Sequence, residues 1–509
     1  MLRNPAFLWI AYSLSALACL VMYSARVGFV FVDTALFSGF CLTVFWIGVL
    51  NSVALFAIYL VRLYRVRRKD ALLFETRAYV VWAGILSAIA ALYCIIALVF
   101  IIVMGGESAP IAGRMLADYL PWFACAYCGL FLVFVFPKIT HRNARRAVAT
   151  ALCLTIGVSL ICAIFPAPAA PRLSMPMVID TGTEYSVVFT TDTPGTGVVT
   201  YSYNGQDYTV YDTDNGRLRG DSIIHSVPVP YEHLDGNSYR IGSAPVADNL
   251  SYGGRIGKTA MSEPYAFRAP QGDTIDILVA SDWHTHVKDA VRAAQSVGEY
   301  QAVILLGDGV PGLMYEEEAA AYIVSFGAQV SQGRMPVLFV RGNHETRGPY
   351  ANKLADALGM DEFYGTAQLG DYTFILLDSG EDKVDSHPEY GGMTDYGTYR
   401  RNMVEWLEQL DLTASPRNIV LSHSHEIAIE EALQARAFDR LQALGCKLML
   451  SGHTHTNELF AYNGMQVYLD GGHKNGTYIA SRMQLSPDGI RLSANDHKGN
   501  SVFDQTIAW

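Results

Sequence analysis

The chain has 509 residues, 51% of them apolar and only 17% charged, with a formal net charge of −11. That length leaves room for about three domains, and an acidic chain without a basic footprint argues against nucleic acid as the main partner. Seven of the eight cysteines precede residue 165, so the remainder, with Cys446 alone, can form no disulfide within itself. Cys125 and Cys128 sit in an apolar run without companion ligands and read as helix-packing residues.

Five apolar runs fill the first third, at 7–24, 36–60, 79–104, 120–137 and 147–165. About 20 apolar residues rising about 1.5 Å each span the roughly 30 Å hydrocarbon core of a bilayer, which predicts a transmembrane bundle of five helices over 1–165. Basic clusters follow the second and fourth runs (Arg62, Arg65, Arg67, Arg68, Lys69; Lys138, Arg142, Arg145, Arg146). The excess of positive charge in those two connections places the amino terminus in the cytoplasm and everything after the fifth run outside. The expected location is therefore the cell membrane, multi-pass, with an extracytoplasmic remainder. Ala16-Leu17-Ala18-Cys19 offers a rival reading as a cleaved lipoprotein signal, but the apolar stretch continues past Cys19. Few charged residues lie within the runs, which disfavours a permease.

Pro166, Pro168 and Pro171 make 166–171 a short, stiff linker that keeps the outer part close to the bilayer. Over 172–270 the pattern changes to short alternating runs such as 185–189, 198–203 and 206–211. Asn204-Gly205 is a two-residue hairpin signal, and the repeated turn chemistry predicts a small β-sandwich. From 271 to 509, strand patterns alternate with helical ones at 316–330 and 399–410, which is α/β organisation.

In that last part, five short apolar runs each end on a polar group: Asp282-Trp283-His284 after 275–280, Gly307-Asp308 after 302–306, Gly342-Asn343-His344-Glu345 after 336–340, His423 after 418–421, and Gly452-His453-Thr454-His455 after 447–450. Loops leaving the carboxyl ends of strands converge on one rim. Carboxylates, an amide and imidazoles gathered there suit two divalent or mixed-valence cations such as Mn, Fe or Zn. His425 competes with His423, and the position directly after the strand favours His423. His286 and His473 read as loop residues, and Asp378 as part of the rim without a role.

Taken in order, these five motifs resemble those of the calcineurin-like metallophosphoesterase superfamily over roughly residues 273–480. The resemblance implies an α/β metallophosphoesterase sandwich with a dinuclear metal site. Asp308 bridges the two ions. Asp282, His284 and His455 complete one site; Asn343, His423 and His453 complete the other. Such a pair holds a bridging hydroxide for attack on phosphorus. His344 stabilises or protonates the leaving group, with Asp308 beside it in the catalytic set, and Asn343 and His344 meet the substrate. Arg347 is a further candidate for contact with the substrate phosphate, with a plain surface salt bridge as the alternative reading. Glu345 is expected to orient His344. The segment 172–270 resembles a fibronectin type III-like module, and the domain order resembles that of purple acid phosphatases. The tyrosine those enzymes use three residues after the bridging aspartate is Pro311 here, so a tyrosinate-bound ferric site is not expected.

The expected protein is thus a membrane-anchored phosphoesterase acting on a phosphate ester of lipid or envelope origin. The alternative is a membrane sensor that holds metals without turnover. Retention of His344, for which a purely structural metal site has no use, favours the enzyme.

Overall fold

The computed structural model describes residues 141–144, 146–147, 149–150, 153–154, 169–250 and 253–509. The chain divides into two compact units, Met1–Ala167 with Leu250–Gly253, and Pro168–Asn249 with Gly254–Trp509. In the first, the described residues between 142 and 154 are helical.

The second unit begins with strands β1 (Met177–Asp180), β2 (Tyr185–Tyr203), β3 (Ser222–Val229) and β4 (Ser238–Leu250). It continues with β5 (Ile275–Ala280), helix α1 (Val287–Ser296), β6 (Ala302–Leu305) and β7 (Pro336–Phe339). Next come β8 (Gly365–Leu369), β9 (Tyr372–Leu377), α2 (Tyr396–Gln409), β10 (Asn418–Ser422), α3 (Glu431–Ala443) and β11 (Leu448–Ser451). The last strands are β12 (Glu458–Tyr462), β13 (Met465–Leu469), β14 (Thr477–Ser486), β15 (Gly489–Asp496) and β16 (Ser501–Ile507).

These strands form two large sheets. The first runs β4-β2-β1-β7-β6-β5-β14-β15-β16, and the second β8-β9-β10-β11-β13-β12. Strands β5, β6 and β7 are parallel to one another, as are β9, β10, β11 and β13. Their residues are apolar on both faces because each sheet is covered on both sides. Ile275, Ile277 and Val279 of β5 turn towards Phe374, Leu421 and Leu450 of the second sheet. Leu278 and Ala280 turn the other way, onto Ala290 and Ala294 of α1. Helices α2 and α3 cover the outer face of the second sheet with Met403, Leu407, Phe438 and Leu441. The layers are helix, sheet, sheet, helix, and the parallel strands of both sheets end on one rim.

One expectation about fold class is corrected. No helix among the described residues is long and apolar enough to cross a membrane, and this overturns the five-helix transmembrane bundle. The longest unbroken α-helix among the described residues, α2, has 14 residues, about 21 Å at about 1.5 Å each against a core of roughly 30 Å. It also carries Arg401, Glu405 and Glu408 exposed, as suits a helix with one wet face. The five apolar runs themselves lie outside the described residues, apart from a few positions of 147–165.

The strands of 172–270 enclose a core of their own, with Val187, Phe189, Val199, Ile241 and Phe267, and are also joined to the first sheet. Strand β1 pairs antiparallel with β2, Met177 opposite Val188, and on its other side parallel with β7, Val178 opposite Pro336. The early strands therefore extend the first catalytic sheet. Alternation along a strand reports which face is buried, and it carries no information about which edge finds a partner.

Candidate metal centre

The site is built where the parallel strands stop. Leaving β5, Asp282 donates its N–H to Gly307 O at 2.9 Å, and His284 donates to Asp308 O at 2.9 Å, so the first two loops are tied backbone to backbone. Asp282, His284, Asp308, His453 and His455 all have positive φ, between 46° and 71°. Such values are uncommon for residues other than glycine. Five of them converging on one rim mark a backbone shaped for its side chains at some cost in local strain. Gly307, at φ 84°, sits where an added Cβ would collide with the backbone of Gly342, so the second and third loops touch directly.

Two groups of ligand atoms result. Asp282, His284 and His455 offer one atom each, and Asp308, His423 and His453 do the same; within each group the atoms lie within 4.8 Å of one another. In the first, His455 Nε2 is 3.5 Å from Asp282 Oδ1. In the second, His423 Nε2 is 3.2 Å from Asp308 Oδ2. Three imidazoles have the other nitrogen occupied. His284 Nδ1 donates to Val310 O (3.3 Å), His423 Nδ1 to Leu306 O (2.6 Å) and His455 Nδ1 to His473 O (2.5 Å). A backbone carbonyl on Nδ1 fixes the ring and leaves the Nε2 lone pair facing inward.

The polar atoms fit metal ions. Asp282 is fully buried, and its Oδ1 has no hydrogen-bond partner, a costly state for a carboxylate that nothing charged faces. Asn343 Oδ1 is directed at His423 Nε2 and His453 Nδ1, each at 3.1 Å, with Asp308 beside them. The opposite placement of the amide would let it donate to those three atoms and accept from Arg347 Nη2. A cation among Asp308, His423 and His453 selects the first placement, because it satisfies four lone-pair donors at once. Oxygen and imidazole donors suit borderline divalent ions.

Charge coupling in the second group is strong. Burial opposes the ionised form of both Asp308 and His423, and their mutual attraction outweighs it. Asp308 is held well below the usual carboxylate range and His423 is pushed up to about 10. Burial, with the neighbouring His423, lowers His453, and burial lowers His284. A metal bound here takes the place of the shared proton.

His344 stands beside both groups. Its ring is 5.0 Å from that of His284, and its Nε2 is 3.8 Å from Asp308 Oδ2. Its Nδ1 donates to Pro311 O at 3.0 Å. Glu345 does not orient it, contrary to expectation. The buried Glu345 carboxylate accepts the N–H groups of Asp308 (2.8 Å), Gly309 (2.6 Å) and Gly342 (2.8 Å), gathering two ligand loops. Burial, then the Asp308 charge, raises its carboxyl to about 7. Arg347 Nη1 lies 3.3 Å from His344 Nε2, and the same guanidinium forks onto Glu381. His425 is turned away, with its ring against Phe460 and Tyr462. His286 and His473 pair ring to ring at 4.6 Å.

Three contributors have no motif to announce them. The His473 carbonyl holds His455. Asp470, after β13, accepts Ser281 Oγ and Ser481 Oγ at 2.9 and 2.5 Å behind Asp282. Glu381 lies in the loop after β9. Only Asp470, at a strand end like the ligands themselves, had a sequence signal that could have found it.

The two-sheet α/β sandwich thus sets two Asp/His groups at its strand ends. Residues 275–457 match the family model of the calcineurin-like phosphoesterases, a stretch that runs from β5 past both clusters. Among solved structures, the chain is similar to the purple acid phosphatase PPD1 of yellow lupin (Lupinus luteus), with TM-score 0.45 and 15% identity over 67% of this chain and 75% of that one. It is similar also to PhoD, with TM-score 0.40 and 11% identity over 66% and 93% of the two chains. GAP50 of Plasmodium follows with TM-score 0.34 and 16% identity over 46% and 89%. No curated protein matches the chain.

Proposed function

We propose that this protein hydrolyses a phosphate ester at a two-metal centre. The observation that carries the reading is the pair of ligand groups, Asp282/His284/His455 and Asp308/His423/His453, set side by side with His344 at their common edge. Divalent ions held there supply positive charge for the phosphoryl oxygens and a water acidic enough to attack phosphorus. Asp308, His423 and His453, with the amide oxygen of Asn343, would hold one ion, and Asp282, His284 and His455 the other, with Asp308 as the carboxylate the two ions would share. His344, fixed through Nδ1 to Pro311 O, presents Nε2 to the departing oxygen and gives it a proton. Arg347 binds the phosphoryl group from beside His344. The Mn, Fe and Zn ions all satisfy this donor set.

The substrate we propose is an ester of lipid or envelope origin, at a cell membrane and on its outer side. The apolar composition of the first third supports that location. Exposed Met314, Tyr315, Val384 and Met393 support an apolar leaving group. They lie on the two loops tied to Arg347, one through Leu313 N to Arg347 O and the other through Glu381.

The test measures metal content and hydrolysis of generic phosphate mono- and diesters, with wild type beside Asp308→Ala and His344→Ala. About two metals per chain with turnover are expected for the wild type. Asp308→Ala loses metal and activity. His344→Ala keeps metal and loses about 10²–10⁴-fold in rate, the scale of a general acid. Full metal content without turnover on any ester overturns the enzyme reading in favour of a metal-holding sensor.

A further inference from the structure

Glu381 lies in the loop between β9 and α2, outside every motif that marks the site. Its side chain is 2% exposed, and a buried carboxylate is tolerated only where donors surround it. Here they do. Oε1 accepts Arg347 Nε at 2.8 Å and Thr346 Oγ1 at 2.8 Å; Oε2 accepts Arg347 Nη2 at 3.0 Å and Tyr390 Oη at 3.2 Å. Its own backbone carbonyl accepts Arg400 Nη1 at 3.3 Å, and Arg400 is itself buried. The carboxylate is therefore fixed before it meets Arg347.

The fork uses the Nε–Nη2 edge of the guanidinium. The Nη1 corner is left over, 3.3–3.4 Å from the His344 ring nitrogens, and nothing acidic is bonded to it. Nη2 also reaches the side-chain amide of Asn343 at 2.8 Å, so the forked edge itself borders the site and Glu381 holds the guanidinium against it. Arg347 is 35% exposed, so without the fork its long side chain would be free to sweep through solvent. Holding it in advance removes an ordering cost that phosphate binding would otherwise meet.

We propose that Glu381 is a positioning residue, which holds the Arg347 guanidinium beside His344 so that its free corner meets a phosphoryl oxygen. The inference rests on the phosphoesterase reading for its consequence in turnover, but its core claim concerns phosphate affinity and is measurable without turnover.

The experiment is a double-mutant cycle on the full-length, metal-loaded protein, with Glu381→Gln, Arg347→Lys and both together. Binding of inorganic phosphate is followed by calorimetry, and KM and kcat are measured with a generic phosphate ester. Glu381→Gln is expected to retain its metals, weaken phosphate about tenfold, the scale of one lost ordered side chain, and raise KM more than it lowers kcat. Arg347→Lys, which keeps the charge and loses the fork, is expected to show a similar loss, and the double variant no further one. Additive losses, an unchanged affinity in Glu381→Gln, or no phosphate binding by the wild type would overturn the positioning role. If Glu381→Gln does not fold, Tyr390→Phe removes one donor from the carboxylate and leaves the ion pair in place. A two- to threefold weaker phosphate affinity is then expected, on the scale of one neutral hydrogen bond, and an unchanged one overturns the proposal. Non-additive phosphate binding without turnover defeats the enzyme reading alone; turnover with an additive cycle defeats this inference alone.

Discussion

Asp470 shows how the centre is supported from behind. It is fully buried, its two oxygens accept the hydroxyls of Ser281 and Ser481, and burial, with a smaller contribution from the Asp282 charge, raises its carboxyl from 3.8 to about 7. An acid whose pKa is higher folded than unfolded stabilises the fold while neutral. That contribution is complete below about pH 4 and is lost as pH rises through 7. In chelator, the melting temperature should therefore fall between pH 5 and 8, and Asp470→Asn, which cannot ionise, should flatten the fall. The size at stake is on the order of a few kcal/mol, since each tenfold change in proton affinity is worth about 1.4 kcal/mol. Parallel melts of the two proteins across that range check it, and equal slopes would remove Asp470 from the explanation. At this scale the sequence was most legible where a strand end coincided with a ligand type, as at Asp282, Asp308 and His423. It was silent on backbone shape, since nothing in the letters requires His453 and His455 to take positive φ. Glu345 was found but misread, because adjacency suggested His344 as its partner while the fold turned its carboxylate onto the amides of three other residues.

The loops between elements decide how tightly the two ligand groups are held. The loops after β6 and β7 meet so closely that a Cβ on Gly342 would strike Asp308 Oδ1 and its backbone N, with Glu345 Oε2 2.8 Å away. None of these atoms can yield cheaply, since Asp308 Oδ1 accepts the His344 N–H at 2.9 Å and Glu345 is pinned by three amides. Gly342→Ala should cost about 1–3 kcal/mol, the range for forced overpacking, and lower metal content more than a substitution in open space does. Gly365 is the control, because nothing lies within 4 Å of its added Cβ and its φ is not positive. Metal content and melting temperature of the two variants make the comparison, and equal metal content in both would show the contact to be soft. The helical and strand periods of 271–509 were readable because each parallel strand is buried on both faces and each helix on one. The loop that carries Glu381 was not, since irregular backbone has no period.

At the scale of the whole second unit, the early strands belong to the catalytic sheet. One core joins Met177, Ile179, Val188 and Ile224 from the first part to Leu305, Phe326, Val330 and Leu358 from the second. The buried boundary is sealed by Glu316, whose Oε1 accepts Ser222 Oγ and the N–H groups of Ile223 (2.8 Å) and Ile224 (2.9 Å). By contrast the Arg219–Asp356 pair, with Asp356 67% exposed, is worth little in water. Sequence reading separated these parts because the alternation of 172–270 and the α/β rhythm beyond it differ, whereas the pairing of β1 with β7 is long-range and leaves no local trace. The consequence can be weighed. Losing the packing of four large apolar side chains costs about 2–5 kcal/mol each, which together reaches or exceeds the whole stability of an ordinary domain, about 5–15 kcal/mol. A fragment of residues 271–509 should therefore fail to fold and should aggregate through the bared edge of β7, while 168–509 should melt in one transition. Glu316→Ala within 168–509 leaves the Ile223 N–H without this acceptor, while Ile224 N–H keeps Ser222 Oγ at 3.0 Å, and should cost about 1–3 kcal/mol, without creating a second transition. Two separate transitions in 168–509, or a soluble and metal-loaded 271–509, would mean that the shared sheet adds little and that the early strands fold as a body of their own.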